Sequence, residues 1–209
     1  MKLNALGRAA MNSTARRLAQ YYVASWFERL GGHVENGFVL EVGCGGGTGI
    51  LIILQRFRAA RVCGIDVDPK MLDRAQRRIS SRRMSNAHLH ACNVTSLDLP
   101  DATFDAVFDF GAIHLEPHWQ QAIAEVRRVL KPGGRFYFEL VSSRFLRLSY
   151  PLFMRGLKAM DAPQPGQFIH ELERQGIIVG HNFIRPRVAA LTGVVGDLIG
   201  VGYVLREPS

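Results

Sequence analysis

Val39-Leu-Glu-Val-Gly-Cys-Gly-Gly-Gly-Thr-Gly-Ile50 is an apolar run closing on an acid, then a cluster of glycines, then a second apolar run. The pattern predicts a buried strand, a tight turn and the start of a helix. Residues without a Cβ reach positive φ and let a backbone approach a ligand closely. The helix that follows aims its free N–H groups at the same place. Gly43, Gly45 and Gly47 spell G-x-G-x-G, and no register of the glycines satisfies the dinucleotide fingerprint G-x-G-x-x-G, which would need glycine at Thr48. By itself the stretch indicates a nucleotide-like ligand.

Outward from this turn the chain alternates strand and helix patterns. Asn12 to Leu30 carries Leu18, Tyr22, Trp26 and Leu30 at near-helical spacing, with Ser13 or Asn12 as N-cap and Gly31-Gly32 as the stop. Tyr21 or Tyr22 on this helix would form a lid over the ligand, or else pack on the sheet. Ile50 to Phe57 continues the helix after the glycines, and Ala60 to Ile65 reads as a second buried strand. Asp68 followed by Pro69 is an N-cap with proline in the first turn, predicting a helix from Pro69 to Ser80. Asp66, at the strand end about 20 residues past the glycine turn, is placed to accept from both hydroxyls of a ribose.

Ala87 to Cys92 and Ala106 to Phe110 are the third and fourth strands. Trp119 to Leu130 is an amphipathic helix, and Arg135 to Ser142 is the fifth strand after the turn Lys131-Pro-Gly-Gly134. Five strands alternating with helices mark an α/β chain with a doubly wound parallel sheet. Ser143 to Lys158 is a basic, apolar segment containing Phe145, which would line a substrate pocket, lie on a membrane surface or pack as a helical crossover. Phe168 to Gln175 is a further helix. Ile177 to Ile184 and Asp197 to Leu205 read as two closing strands. Gly193, Gly196, Gly200 and Gly202 and the charge of Asp197 argue against a membrane span from Val188 to Leu205.

A chain of 209 residues is most simply one domain. Its net charge of +8 raises the question of a nucleic-acid or anionic-membrane partner. All but four of the 26 basic residues (Lys2, Lys70, Lys131, Lys158) are arginines, spread over the chain as on solvated helix faces. Cys44, Cys63 and Cys92 form no CxxC and fit reduced thiols in a cytoplasmic compartment, and the N-terminus has no apolar run of a signal peptide. His88 and His90 share a strand face and His114 and His118 stand four apart, but neither pair has a third ligand, so no metal site is expected.

Together, strand-GxGxG, the strand-terminal Asp66, Asn93 at the third strand end, Phe104-Asp-Ala-Val107 and Arg128-Val-Leu-Lys-Pro-Gly-Gly134 resemble the class I S-adenosylmethionine-dependent methyltransferases. Among these the chain is most similar to the group of ubiquinone and menaquinone biosynthesis methyltransferases. The resemblance, close over residues 38 to 140, implies a Rossmann-like seven-stranded sheet, mostly parallel with an antiparallel last strand. It divides the single domain into an N-terminal helical cap (1–36), a cofactor-binding core (38–142), a substrate-side helical segment (143–176) and closing strands (177–209). It implies that Glu41 sits under the methionyl amine, that Gly43, Cys44, Gly45 and Gly47 cradle methionine and ribose, and that Asp66 holds the ribose. Val67 would touch the adenine face, Asn93 and the N–H of Val94 its edge, and Phe110 the transferring methyl. The family commonly has Asp at Asn93, whose carbonyl oxygen can still accept from the adenine amino group.

The implied activity is methyl transfer from S-adenosylmethionine, leaving S-adenosylhomocysteine, to a small, apolar or lipid-like acceptor near Tyr21, Tyr22, His114 and Phe145. His114 would be the base if the acceptor needs one. The motifs of amino-methylating and cytosine-C5 nucleic-acid enzymes are missing, which argues against nucleic acid as acceptor. A methyltransferase-like binding or regulatory protein without turnover is the alternative reading, motivated by Asn93 and the lack of a clear base. The expected setting is cytoplasmic, with a peripheral membrane contact if the basic apolar segment faces lipid. The oligomeric state is left open.

Overall fold

The computed structural model describes residues 5–141, 162–184 and 198–205. In chain order these form α1 (Ala5–Met11), α2 (Thr14–Gly31), β1 (Phe38–Val42), α3 (Thr48–Gln55), β2 (Arg61–Asp66), α4 (Pro69–Ser80) and β3 (Ala87–Ala91). There follow β4 (Phe104–Asp109), a 3-10 turn (Ile113–Leu115), α5 (Trp119–Val129), β5 (Leu130–Leu140), α6 (Pro165–Arg174), β6 (Ile177–Ile184) and β7 (Leu198–Val204). The expected segment 143–158 and Phe145 lie outside the described residues, as does the whole stretch between the two closing strands.

All seven strands join one sheet in the order β3-β2-β1-β4-β5-β7-β6. The first five are parallel to their neighbours, and β7 runs antiparallel to both β5 and β6. This is the doubly wound sheet with an antiparallel last strand that the sequence and the resemblance predict. β1 is central, flanked by β2 and β4, so it must be apolar on both faces. Alternation then assigns the faces: Leu40 and Val42 join the core beneath α5 and α6, while Val39 joins the core beneath α2 and α3. On β5 the same period sends Phe136, Phe138 and Leu140 toward α5 and α6, and Tyr137 toward α2.

Local chemistry accounts for the helix ends. Ser13 caps α2 by accepting from the N–H of Arg16 at 3.1 Å, and Gly32 closes it at φ 70°. Asp68 caps α4 by accepting from the N–H of Lys70, with Pro69 in the first turn. α1 has no counterpart in the sequence reading, because seven residues are too few to show a helical period. β5 begins at Leu130, not Arg135: Leu130 already pairs with Phe104, and an irregularity in register absorbs the Lys-Pro-Gly-Gly turn. No described helix is long and apolar enough to cross a membrane.

Candidate functional site

The strand order reverses beside β1, and a crevice opens outside the carboxyl ends of β1, β2 and β4, the place where such sheets bind ligands. Its cavity volume is about 110 Å³ and it is partly open to solvent. The glycine turn forms its floor. Gly43, Gly45 and Gly47 all take positive φ, at 64°, 52° and 77°. A Cβ on Gly43 would overlap the Cβ of Ala112 from the loop after β4, so glycine is required there both for backbone conformation and for space. The Cys44 N–H reaches the Ile65 carbonyl at 2.9 Å, tying the turn to the end of β2.

Asp66 stands at the rim. One carboxylate oxygen accepts from the N–H of Gly45 and the other from the N–H of Asp68, each at 2.9 Å. Partial burial raises its pKa, and these two N–H groups oppose the rise. Each oxygen keeps lone-pair capacity beyond its one protein donor. Ile65, Val67, Met71, Val94 and Phe110 add apolar wall around this polar end. Asp66, Gly43, Cys44, Gly45, Val67, Val94 and Phe110 are thus brought to one crevice. Gly47 lies behind it as the residue before α3, packed against Ala75.

Other expected site residues stand elsewhere. Glu41 is buried on the α3 face of β1, its carboxyl against Gly49, and does not line the crevice. Among the described residues neither of its oxygens makes a well-formed hydrogen bond, and the Ile50 N–H offsets the cost of burial only in part. Burial, reinforced by Asp66 and Asp109, pushes its pKa well above the carboxylate range. Asn93 is exposed, and its side-chain oxygen accepts from the N–H of Thr95 at 3.1 Å, closing its own turn. Tyr21 and Tyr22 lie on the outer face of α2, 44% and 39% exposed, and do not line the crevice. The helical period sends Arg16 and Gln20 there instead, one turn apart. His114 is also displaced from the crevice wall: it is buried in the 3-10 turn, and burial together with the Arg16 charge holds its pKa down at about 3. A neutral imidazole with so low a pKa is a poor base.

The residues that sequence reasoning missed come from the N-terminal helices, from α4 and from the loop after β4. Met11, Arg16, Gln20, Met71, Leu115 and Glu116 all line the crevice. Arg16 is the structural centre of this side. Its guanidinium bonds the Phe110 carbonyl and pairs at 3.3 Å with Glu139, which is fully buried near the end of β5. The available signal was the i, i+4 pair of polar residues on the inner side of α2, which aromatic neighbours obscured.

Beneath the site, Asp109 accepts from the N–H groups of Ala112 and Ile113 and so shapes the loop carrying the acceptor-side wall. Burial raises its pKa to about 7. Because the folded value exceeds that of a free carboxyl, the folded state binds the extra proton and stability declines as pH rises from about 4 to about 7. Asn would keep an acceptor for the Ala112 N–H without ionising. The melting temperature of Asp109→Asn minus that of the wild type should therefore increase between acid and neutral pH. A flat difference would contradict the assigned burial cost.

Residues 39–134 match the family model described as a methyltransferase domain. The chain is 34% identical over 112 residues to a fatty-acid O-methyltransferase of Mycolicibacterium smegmatis, covering 54% of this chain and 40% of that one. It is 33% identical over 141 residues to a demethylmenaquinone methyltransferase of Symbiobacterium thermophilum, covering 64% and 53%. The chain thus spans about half the length, or less, of these curated relatives. Among solved structures, the Haloferax volcanii complex of the Trm112 methyltransferase activator with a methyltransferase superposes with a TM-score of 0.79 at 16% identity, covering 97% of this chain and 94% of that one.

Proposed function

We propose, from the premise that this chain carries a methyltransferase domain within the class I methyltransferase fold, that it transfers a methyl group from S-adenosylmethionine to a small, apolar or lipid-like acceptor. The observation that carries the reading is the crevice over β1, β2 and β4, whose backbone floor exists only because Gly43 has no Cβ and whose one end is the Asp66 carboxylate. These features fit the cofactor. Asp66 would hold the ribose hydroxyls, the turn Gly43 to Gly45 the methionine portion, and Val67, Cys92 and Val94 the adenine.

The cofactor when bound supplies a methyl group on a cationic sulfur, an already activated leaving arrangement. What the chain must add is alignment and exclusion of water. Phe110, Ala112, Leu115 and Met11 give the crevice an apolar side for that purpose. Arg16, locked to Glu139, holds α2 over the crevice as a fixed wall. His114 has no part in proton removal in this reading, because it is buried away from the crevice wall and neutral. Glu116, on the acceptor side, is the carboxylate within reach of the crevice for an acceptor that must lose a proton. The named activities of the relatives favour turnover over a binding-only role, and the fatty-acid enzyme among them supports an apolar acceptor.

Isothermal titration should show one S-adenosylmethionine bound per chain, with S-adenosylhomocysteine competing. Incubation with labelled cofactor and fatty acids or quinols should move the label into the organic phase. Folded protein that binds neither cofactor nor product would refute the reading. Binding without label transfer to any acceptor would favour the regulatory alternative.

A further inference from the structure

α2 and α4 lie on the same face of the sheet, and the sides they turn away from it carry an unusual combination. The described residues include five exposed large apolar side chains, and three of them, Leu18, Tyr21 and Tyr22, sit together on α2. Beside them, α4 presents Arg74, Arg78 and, just past its end, Arg82 at four-residue steps, which is one helix face. Arg17 of α2 completes the group. Burial lowers the pKa of Arg78, the neighbouring charges of Arg17, Arg74 and Arg82 lower it further, and Tyr21 acts in the opposite sense. Opposing charge is scarce: the only acid of α4 is Asp73, and the only acid of α2, Glu28, is already engaged by Arg56 and His33.

The patch adjoins the crevice. Arg78 bonds the Thr48 hydroxyl, and the side chain of Arg74 lies against Gly46, both of which line it. α2 therefore has Arg16 and Gln20 on the crevice and Leu18, Tyr21 and Tyr22 facing outward a fraction of a turn away.

We propose that the outer faces of α2 and α4 form a docking surface for an anionic lipid bilayer, with Leu18, Tyr21 and Tyr22 entering the headgroup region and Arg17, Arg74, Arg78 and Arg82 meeting the lipid phosphates. Charge complementarity selects this occupant. Unneutralised arginines in a row suit a polyanionic surface, and a leucine flanked by tyrosines suits the apolar-to-polar boundary of a bilayer. A polyanion such as RNA would use the arginines but has no apolar layer to receive an exposed leucine. The surface would set the crevice mouth beside the membrane, where a lipid-like acceptor resides.

Sedimentation of the full chain with vesicles tests this. Vesicles of phosphatidylcholine mixed with phosphatidylglycerol should carry the protein down, those of phosphatidylcholine alone should do so weakly, and added salt should release it. Arg17→Gln with Arg82→Gln should weaken partitioning about fivefold for each arginine. Leu18→Ser with Tyr21→Ser should weaken it by about tenfold or more. Circular dichroism melting of each variant separates surface effects from unfolding. No preference for anionic vesicles, or arginine variants that bind as the wild type does, would overturn the proposal. So would apolar variants that bind undiminished, since the patch would then be a general polyanion site. The readout involves no turnover, so its failure leaves the methyl-transfer reading untouched, and the converse also holds.

Discussion

Replacing Arg16 by methionine should cost about 3–5 kcal/mol of stability, the largest loss expected from a single side chain here, because it removes the cation that pairs with the buried Glu139 carboxylate. Glu139 has a side chain 0% exposed and Arg16 one only 11% exposed, so little water can take the place of the guanidinium. The Phe110 carbonyl loses a donor at the same time. Urea unfolding followed by circular dichroism measures the change. The double variant Arg16→Met with Glu139→Gln should recover much of it, since the charge needing a partner is gone. If Arg16→Met melts as the wild type does, the pair contributes nothing and α2 is held by its apolar packing and by the bonds at its C-terminal end. The same variant should weaken cofactor binding, as Arg16 and Gln20 are the part of α2 that walls the crevice.

Asp66→Ala should lower the affinity for S-adenosylmethionine by about 100-fold or more. Two hydroxyl donors to a charged carboxylate contribute about 1.5–3 kcal/mol each, and about 1.4 kcal/mol is a factor of ten. The side chain also holds the N–H groups of Gly45 and Asp68, so removing it loosens both the glycine turn and the entry to α4. Asp66→Asn separates these roles. Its oxygen can keep one of the backbone bonds while the charge is lost, so its melting temperature should stay nearer the wild type than its affinity does. Titration calorimetry that finds Asp66→Ala binding as tightly as the wild type would remove Asp66 from the site, and with it the main polar anchor of the proposed function.

Much of this molecule is legible in its sequence, and the reason is the range over which the determining forces act. The turn from Gly43 to Gly47, the Asp68-Pro69 start of α4 and the acid at Asp66 are set by backbone conformation and by hydrogen bonds within a few residues. A linear reading captures such features. The apolar run of β1 likewise announces a strand buried on both faces. The two closing strands at Ile177–Ile184 and Leu198–Val204 were visible for the same reason.

The side chains that the reading misplaced are those whose position depends on distant chain. Tyr21 and Tyr22 read either as a lid over the ligand or as packing on the sheet, but the packing of Val23 and Phe27 fixes the rotation of α2 and sends both tyrosines outward. Asn93 satisfies a neighbour's N–H, so its oxygen closes a turn of its own loop. His114 looked like a base from its ordinary pKa, and burial in the 3-10 turn removed that property. The sequence by itself determined the strand-and-helix order, the doubly wound sheet and the glycine turn that suits a nucleotide-like ligand, all products of short-range geometry and hydrophobic period. Only the tertiary structure decided which residues wall the crevice, because Arg16 and Glu139, 123 positions apart, meet through the register of β5 and the rotation of α2, and neither is encoded near either residue.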